Sequence, residues 1–229
     1  MARARYQNRD KKPSRWPELL LHLVLLAGFL AVWSWHMTPA ANKQQVAKKT
    51  FWFWNYLTFI SFSWQLLAFS IALLADLTGS KGLRAASDDV MCSTCGPVIF
   101  VTICYYILLA MGAIVDSDEV PKWVSPVLHT GNSIALGLDS LLCRRERSFS
   151  RRAEVYAAGL LIGYVGICYL SKQHNGDFPY SFMNEMPEPW GLVAMAAVLP
   201  TASEAIFLVG RKLQTGSFGA PVATKSHRS

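Results

Sequence analysis

Long apolar stretches separated by short polar connections organise this chain. Six of them approach the roughly 20 residues that an α-helix needs to cross a bilayer core about 30 Å thick. The pattern therefore predicts an all-α, polytopic membrane bundle of six transmembrane helices with no separate domain. The predicted spans are 16–35, 51–76, 96–115, 123–142, 153–170 and 190–213.

The weakest predicted span is the fourth, because it contains three strongly polar residues, His129, Asn132 and Asp139. Such side chains are costly in hydrocarbon, so this helix is expected to face the protein interior. The first span follows a basic segment, as a signal peptide would, but its apolar run exceeds the ~7–15 residues of a signal-peptide core. We expect it to remain as an uncleaved helix.

The composition of the chain agrees with contact with lipid. Of its 229 residues, 52% are hydrophobic and only 16% are charged, whereas about 25% are charged in a typical soluble domain. The apolar content excludes a disordered chain. Five cysteines, an odd number spread along the sequence, argue against a disulfide scaffold. The net charge of +7 requires no nucleic-acid partner, because cytoplasmic membrane loops are rich in Lys and Arg.

The distribution of Lys and Arg predicts the orientation. Most of the 22 basic residues lie in the N-terminal tail 1–15, after the second and fourth spans, and in the C-terminal tail 214–229. By the positive-inside rule, both termini are predicted to be cytosolic. A transmembrane domain over 16–213 then connects a basic tail to a flexible one. The host membrane, endoplasmic reticulum or plasma membrane, is left open, as is the oligomeric state.

Two spans carry polar side chains along one face. On the second span they are three or four residues apart, a spacing that places them on one side of a helix: Asn55, Thr58, Ser61 and Gln65. The fourth span has a similar stripe, Ser125, His129, Asn132 and Asp139. Polar stripes on apolar helices are expected to face each other or a wet cavity rather than lipid.

Thr58 and His129 are expected at one depth. If both spans enter from the non-cytosolic side, each residue lies about 10 Å below that surface. A neutral imidazole, with an unperturbed pKa of about 6.5, can take the proton of a hydroxyl that attacks an ester carbonyl. The resulting oxyanion needs hydrogen-bond donors. The candidates for contact with the substrate or the oxyanion are Asn55, Ser61, Gln65, Ser125 and Asn132.

Packing is the alternative role for the same residues. Intramembrane Thr commonly bonds the backbone of its own helix, and intramembrane His commonly joins two helices. The sequence selects no carboxylate to orient His129, since Asp139 lies about 15 Å farther along the same span. A Thr/His dyad without a third group is the simpler catalytic hypothesis.

Three short motifs occur in order along the chain. The second span reads Asn-Tyr-Leu-Thr-Phe-Ile-Ser-Phe-Ser-Trp-Gln over 55–65. The fourth span begins at Trp123 and continues into Leu128-His129-Thr130, and an aromatic-Pro-aromatic loop over 177–182 precedes the last span. Together with the size and the layout over 16–213, these motifs resemble the androgen-induced protein / androgen-dependent tissue factor pathway inhibitor-regulating protein family.

This resemblance implies an integral-membrane threonine hydrolase that cleaves fatty acid esters of hydroxy fatty acids. It places the family nucleophile at Thr58 and the family histidine at His129. Three positions depart from the family pattern: Ser125 and Pro126 stand where an Asn-His pair is usual, and Ser61 stands where an acidic residue is frequent.

Residues and resemblance together predict an intramembrane carboxylic ester hydrolase of lipid metabolism that uses no cofactor and no nucleic acid. Its lipid-ester substrate would enter from the bilayer. The loop with Phe178, Tyr180 and Phe182 either gates that entrance or forms an interfacial aromatic belt. A small transporter or lipid-binding protein without catalysis is the alternative, although no internal repeat typical of transporters is visible. A non-enzymatic membrane scaffold is a third possibility.

No metal site is predicted. Cys92 and Cys95 form a lone CxxC in the predicted cytosolic connection 77–95, with no second pair or His nearby. Cys143 follows the fourth span and is interpreted as an unmodified thiol or a palmitoylation site. His22 and His129 are expected at opposite depths, so they would not share a haem.

Overall fold

The computed structural model describes residues 16–112, 120–143 and 149–215. Within these ranges the chain is helical and contains no strand, as the apolar pattern predicts. The predicted N-terminal tail and nearly all of the predicted C-terminal tail lie outside the described residues.

The helices follow one another with short connections. The α-helices are α1 Trp16–His36, α2 Pro39–Asn42, α3 Leu57–Thr78, α4 Lys81–Ala110, α5 Val124–Pro126, α6 Asn132–Leu142, α7 Arg151–Asn175, α8 Ser181–Asn184 and α9 Trp190–Thr215. Two 3₁₀ helices, Gln45–Lys48 and Trp52–Asn55, lie between α2 and α3. A π-helical turn, Val127–Gly131, joins α5 to α6.

Five helices, α1, α3, α4, α7 and α9, are long and apolar enough to cross a membrane. The predicted fourth span, 123–142, is helical through α5, the π-turn and α6, but neither α-helical piece has the length of a span. The described residues therefore support a multi-pass membrane protein. The sixth crossing and the cytosolic placement of both termini stay predictions.

The start of the second span differs from the sequence prediction. The chain makes a 3₁₀ helix over Trp52–Asn55, and α3 begins only at Leu57. Phe51, which precedes the 3₁₀ helix, and Trp52, its first residue, have φ angles of 73° and 51°. Non-glycine residues rarely adopt such angles, so tertiary contacts must hold this turn.

The predicted connection 77–95 is mostly helix. Gly79, with a φ of 70°, ends α3. The Ser80 hydroxyl then caps α4 by accepting a hydrogen bond from the Leu83 N–H at 3.3 Å. The CxxC at Cys92 and Cys95 consequently lies inside α4 rather than in a loop, and Cys92 is buried.

The bundle is built around α4, which packs against α3, α7 and α9. Between α1 and α3, Phe29 stacks on Phe62 with ring centroids 4.3 Å apart. Between α4 and α9 the backbones approach closely, because a Cβ added to Gly96 would lie 2.5 Å from the Ser203 carbonyl oxygen. This approach requires glycine at position 96.

We expect Gly96→Ala to destabilise the protein by about 1–3 kcal/mol, because the added methyl group must push α9 away. Thermal unfolding of the purified protein in detergent measures the effect. Gly163→Ala is the matched control, since it changes a glycine inside α7 whose Cβ would meet nothing within 4 Å. An equal melting temperature for the two variants would contradict the close approach of α4 and α9.

Candidate functional site

Thr58 and His129 line one cavity of about 310 Å³. Its walls come from the start of α3, the second half of α4, the π-turn, α7, the segment around α8, and α9. They are mainly apolar, with Leu57, Phe100, Val101, Leu108, Met195 and Val198 among the lining residues. The structure thus brings the two predicted site residues to the same apolar space.

Thr58 is the second residue of α3 and is buried. Since α3 begins at Leu57, Thr58 lies in the first helical turn rather than about two turns inside a span. The first backbone N–H groups of a helix have no acceptor within the helix, and this end has a partial positive charge. A negative charge that develops beside Thr58 would therefore be stabilised by the helix itself.

His129 lies in the π-turn, a rare structure that is frequent at functional sites. Its Nδ1–H donates to the Ser125 carbonyl oxygen at 2.9 Å. This bond assigns the proton to Nδ1 and the lone pair of the neutral ring to Nε2, the form a general base requires. The Tyr105 ring stacks on the imidazole at 4.0 Å between centroids, so ring orientation is fixed from two sides.

Helix α4 braces the π-turn with hydroxyl groups. Thr102 Oγ1 donates to the His129 carbonyl oxygen at 2.6 Å and lies 2.8 Å from Ser133 Oγ. Tyr106 Oη lies 2.8 Å from Thr130 Oγ1. These contacts satisfy polar groups of a turn that departs from regular α-helical bonding, and they hold His129 against α4.

The predicted polar stripes meet at Gln65 and Asn132. Gln65 Nε2 donates to the Asn132 carbonyl oxygen at 3.1 Å, while Asn132 Nδ2 donates to the Leu128 carbonyl oxygen at 2.9 Å. Asn55 Nδ2 donates to the backbone carbonyls of Thr50 and Trp52. The three amides proposed from the sequence as oxyanion donors thus bond the backbone, and none of them lines the cavity.

The two predicted serines also have local partners. Ser61 Oγ donates to the Thr58 carbonyl oxygen at 3.1 Å. Ser125 Oγ lies 3.5 Å from His129 Nδ1 and 3.2 Å from Tyr105 Oη. Neither serine lines the cavity. Ser61 instead contacts the Thr58 backbone, and Ser125 contacts the His129 ring on the Nδ1 side.

Two tyrosines that the sequence did not select as site residues line the cavity, Tyr164 on α7 and Tyr180 before α8. The Tyr164 hydroxyl donates to the Asn55 carbonyl oxygen at 3.2 Å. Burial is the main cause that raises the pKa of Tyr180 well above its ordinary value. The Tyr180 hydroxyl therefore keeps its proton at physiological pH and remains a hydrogen-bond donor.

The aromatic loop before the last helix forms part of the cavity wall. Tyr180 and Phe182 line the cavity, with stacked rings 5.7 Å apart, and Phe178 packs into the core. The motif over 177–182 was the available signal for Tyr180, whereas Tyr164 is one aromatic residue in an apolar helix.

Asp139, the last member of the second stripe, bonds His22 Nε2 at 2.8 Å.

Comparison with known proteins assigns the chain to a protein family. A family profile described as FAR-17a/AIG1-like protein matches residues 18–215, which include Thr58, His129 and the cavity walls. No curated protein matches the chain, and no solved structure matches it. Since the matched range covers most of the sequence, the chain belongs to the FAR-17a/AIG1-like family, the androgen-induced protein family that its motifs resemble.

Proposed function

We propose that this protein is an intramembrane lipid-ester hydrolase in which Thr58 is the nucleophile and His129 is the general base. The observation that carries the proposal is that both side chains line one apolar cavity. A hydroxyl, a neutral imidazole and a water-poor space for a lipid ester are the components that acyl transfer requires.

The reaction proceeds in two halves. His129 Nε2 takes the proton of Thr58 Oγ as that oxygen attacks the ester carbonyl, which gives a tetrahedral oxyanion. Collapse breaks the ester C–O bond, and the protonated His129 returns the proton to the leaving alkoxide, so a hydroxy fatty acid departs. Water, deprotonated by His129, then attacks the acyl-Thr58 ester, and the fatty acid leaves as Thr58 regains its proton.

Tyr180 and the start of α3 are the proposed oxyanion donors. Tyr180 lines the same cavity as Thr58, and its hydroxyl is protonated at physiological pH, as an ordinary tyrosine is; burial raises its pKa further. The amides at the first turn of α3 add a partial positive charge. Donors of this kind act most strongly where water is excluded, and the cavity walls are apolar.

The cavity fits a substrate that arrives from the bilayer. Ile107 on α4 and Val198 on α9 line it and are 52% and 56% exposed. This exposure supports a lateral opening between two helices apolar enough to span a membrane. A volume of about 310 Å³ is at the small end of ligand sites, so it holds the ester and nearby methylenes while the chain ends remain in lipid. A fatty acid ester of a hydroxy fatty acid, with two acyl chains diverging from one ester, fits this arrangement.

The same apolar walls support a second candidate function, binding or transport of a lipid without a reaction. In that case Thr58 and His129 would anchor a polar headgroup. The proposed host membrane is the endoplasmic reticulum or the plasma membrane. Membranes that contain the expressed full chain are the material for testing both candidate functions.

We expect Thr58→Val to abolish fluorophosphonate labelling and ester hydrolysis, because valine keeps the shape but lacks the hydroxyl. His129→Gln should reduce both rates by about 10²–10⁴-fold through loss of the base. Gel-based labelling and release of fatty acid from a palmitic acid ester of hydroxystearic acid measure the effects. Thr201→Val, which alters an exposed hydroxyl on α9, is the control. Labelling that persists in Thr58→Val would overturn the nucleophile assignment, and an unlabelled, folded wild type would favour lipid binding.

Tyr180→Phe should lower kcat by about 10²–10³-fold with little change in KM, since an oxyanion donor acts on the transition state. Steady-state hydrolysis of the same ester measures both constants. Tyr169→Phe removes an exposed hydroxyl from α7 and should have no effect. Equal kcat values for Tyr180→Phe and the wild type would exclude Tyr180 as a donor.

Ala194→Trp should block hydrolysis by filling the cavity while leaving Thr58 and His129 unchanged, since Ala194 is a lining residue. The adjacent Val193→Trp points the same bulk at the 45%-exposed outer face of α9 and should keep near-normal activity. Ester hydrolysis per unit of folded protein is the measurement. Equal activity in the two variants would show that the substrate does not use this cavity.

A further inference from the structure

A second cluster of chemically reactive side chains lies far from the cavity. At 1.5 Å per residue, Asp76 is about 27 Å along α3 from Thr58. Asp76 forms a hydrogen bond with His22 of α1. The other ring nitrogen of His22 contacts Asp139 of α6 and Cys143, which follows α6. The side chains of His22 and both aspartates are at most 1% exposed, and Cys143 is 2% exposed.

Three potential ligand atoms converge in this cluster. His22 Nε2 lies 2.8 Å from Asp139 Oδ1 and 3.5 Å from Cys143 Sγ, and all three atoms are within 4.8 Å of one another. In a tetrahedral zinc site, the usual bond lengths place a nitrogen and a sulfur ligand about 3.6 Å apart and a nitrogen and an oxygen ligand about 3.3 Å apart. The His22–Cys143 separation already suits zinc, and the His22–Asp139 pair would need to open by about half an ångström.

The surroundings of His22 match those of a metal-binding imidazole. Its Nδ1–H donates to Asp76 Oδ2, which leaves Nε2 directed at Asp139 and Cys143. The other Asp76 oxygen accepts from Arg84 at 3.1 Å, and Arg84 also binds Glu18 at 3.3 Å. A carboxylate on the second nitrogen of a ligating histidine is the usual support of zinc sites.

We propose that His22 Nε2, Asp139 and Cys143 Sγ bind a zinc ion that ties α1 to α6, with Asp76 positioning His22. Nitrogen, sulfur and carboxylate oxygen ligands favour zinc over magnesium or calcium. Zinc binds the thiolate form of Cys143 and the unprotonated Nε2 of His22, so binding is expected to release protons.

The position of the ligands explains why the sequence does not predict this site. His22 and Asp139 are 117 residues apart, and the only local signal is the pair Asp139 and Cys143, four residues apart at the end of one helix. A purely structural hydrogen-bonded cluster is the competing explanation. In that case His22 is an imidazolium held between two carboxylates, and zinc has no effect.

The experiment titrates zinc and cobalt into the purified, chelator-treated full chain in detergent. We expect about one zinc per chain by elemental analysis, a higher melting temperature with zinc, and a thiolate-to-cobalt charge-transfer band. Asp76→Asn, which retains all three ligands, should weaken zinc binding by about 10–100-fold. Cys143→Ser should remove the cobalt band, whereas Cys95→Ser on α4 should retain it.

Two results would overturn the proposal. The first is a wild-type protein, helical by circular dichroism, that binds no zinc and gives no cobalt band. The second is equal zinc affinity in Cys143→Ser and Cys95→Ser. The wild-type spectrum and the Asp76→Asn variant do not depend on substituting a ligand, so misfolding of Cys143→Ser cannot hide the answer. Ester hydrolysis is not a readout, so this test is independent of the Thr58 assignment.

Discussion

Hydrogen bonds from α3 and α4 to the π-turn Val127–Gly131 are the interactions on which the candidate site depends. A turn outside regular α-helical bonding leaves backbone groups that lipid cannot satisfy, at several kcal/mol each. Thr102 supplies a donor to the His129 carbonyl oxygen, and Gln65 supplies one to the Asn132 carbonyl oxygen just after the turn. Because one donor comes from α4 and the other from α3, the bonds that make the π-turn tolerable also hold His129 at the cavity that Thr58 lines.

The long helices are predictable from sequence because their apolar content is high over whole spans, and α9 begins at the residue that the pattern indicates. The first half of α4 is not predictable from sequence, because the polar stretch that precedes its apolar run resembles a loop. Contacts with α3 stabilise the helical conformation of this polar stretch. For example, the Ser87 hydroxyl donates to the Ala68 carbonyl oxygen of α3 at 3.2 Å. The late start of α3 is equally hidden, because positive φ angles at Phe51 and Trp52 have no sequence signature in non-glycine residues.

The site shows the same division between local pattern and distant contact. Helical spacing placed Thr58 and His129 on two polar stripes, and the comparison of their depths paired them; the structure brings both to one cavity. The spacing could not tell which polar groups face the cavity. The amide N–H groups of Asn55, Gln65 and Asn132 donate to backbone carbonyls, while their side-chain oxygens are buried without a hydrogen-bond partner among the described residues. Phenol hydroxyls are attached to large apolar rings, and they can line an apolar cavity at little cost in polar burial. Tyr164 and Tyr180 accordingly line the cavity, whereas the three amides do not.

The segment from the π-turn to the end of α6 is attached to its neighbours at three levels. Thr102 of α4 holds its beginning, Gln65 of α3 holds its middle, and His22 of α1 holds its end through Asp139. A helix bonded at one level can slide or rotate against an apolar neighbour, because dispersion contacts between smooth helices are similar in many registers. Bonds at three levels, made to three different helices, permit one register only. Acyl transfer needs reacting atoms about 3–3.5 Å apart. The bonds that fix this segment would limit the movement of His129 relative to α3, as the proposed Thr58/His129 dyad requires.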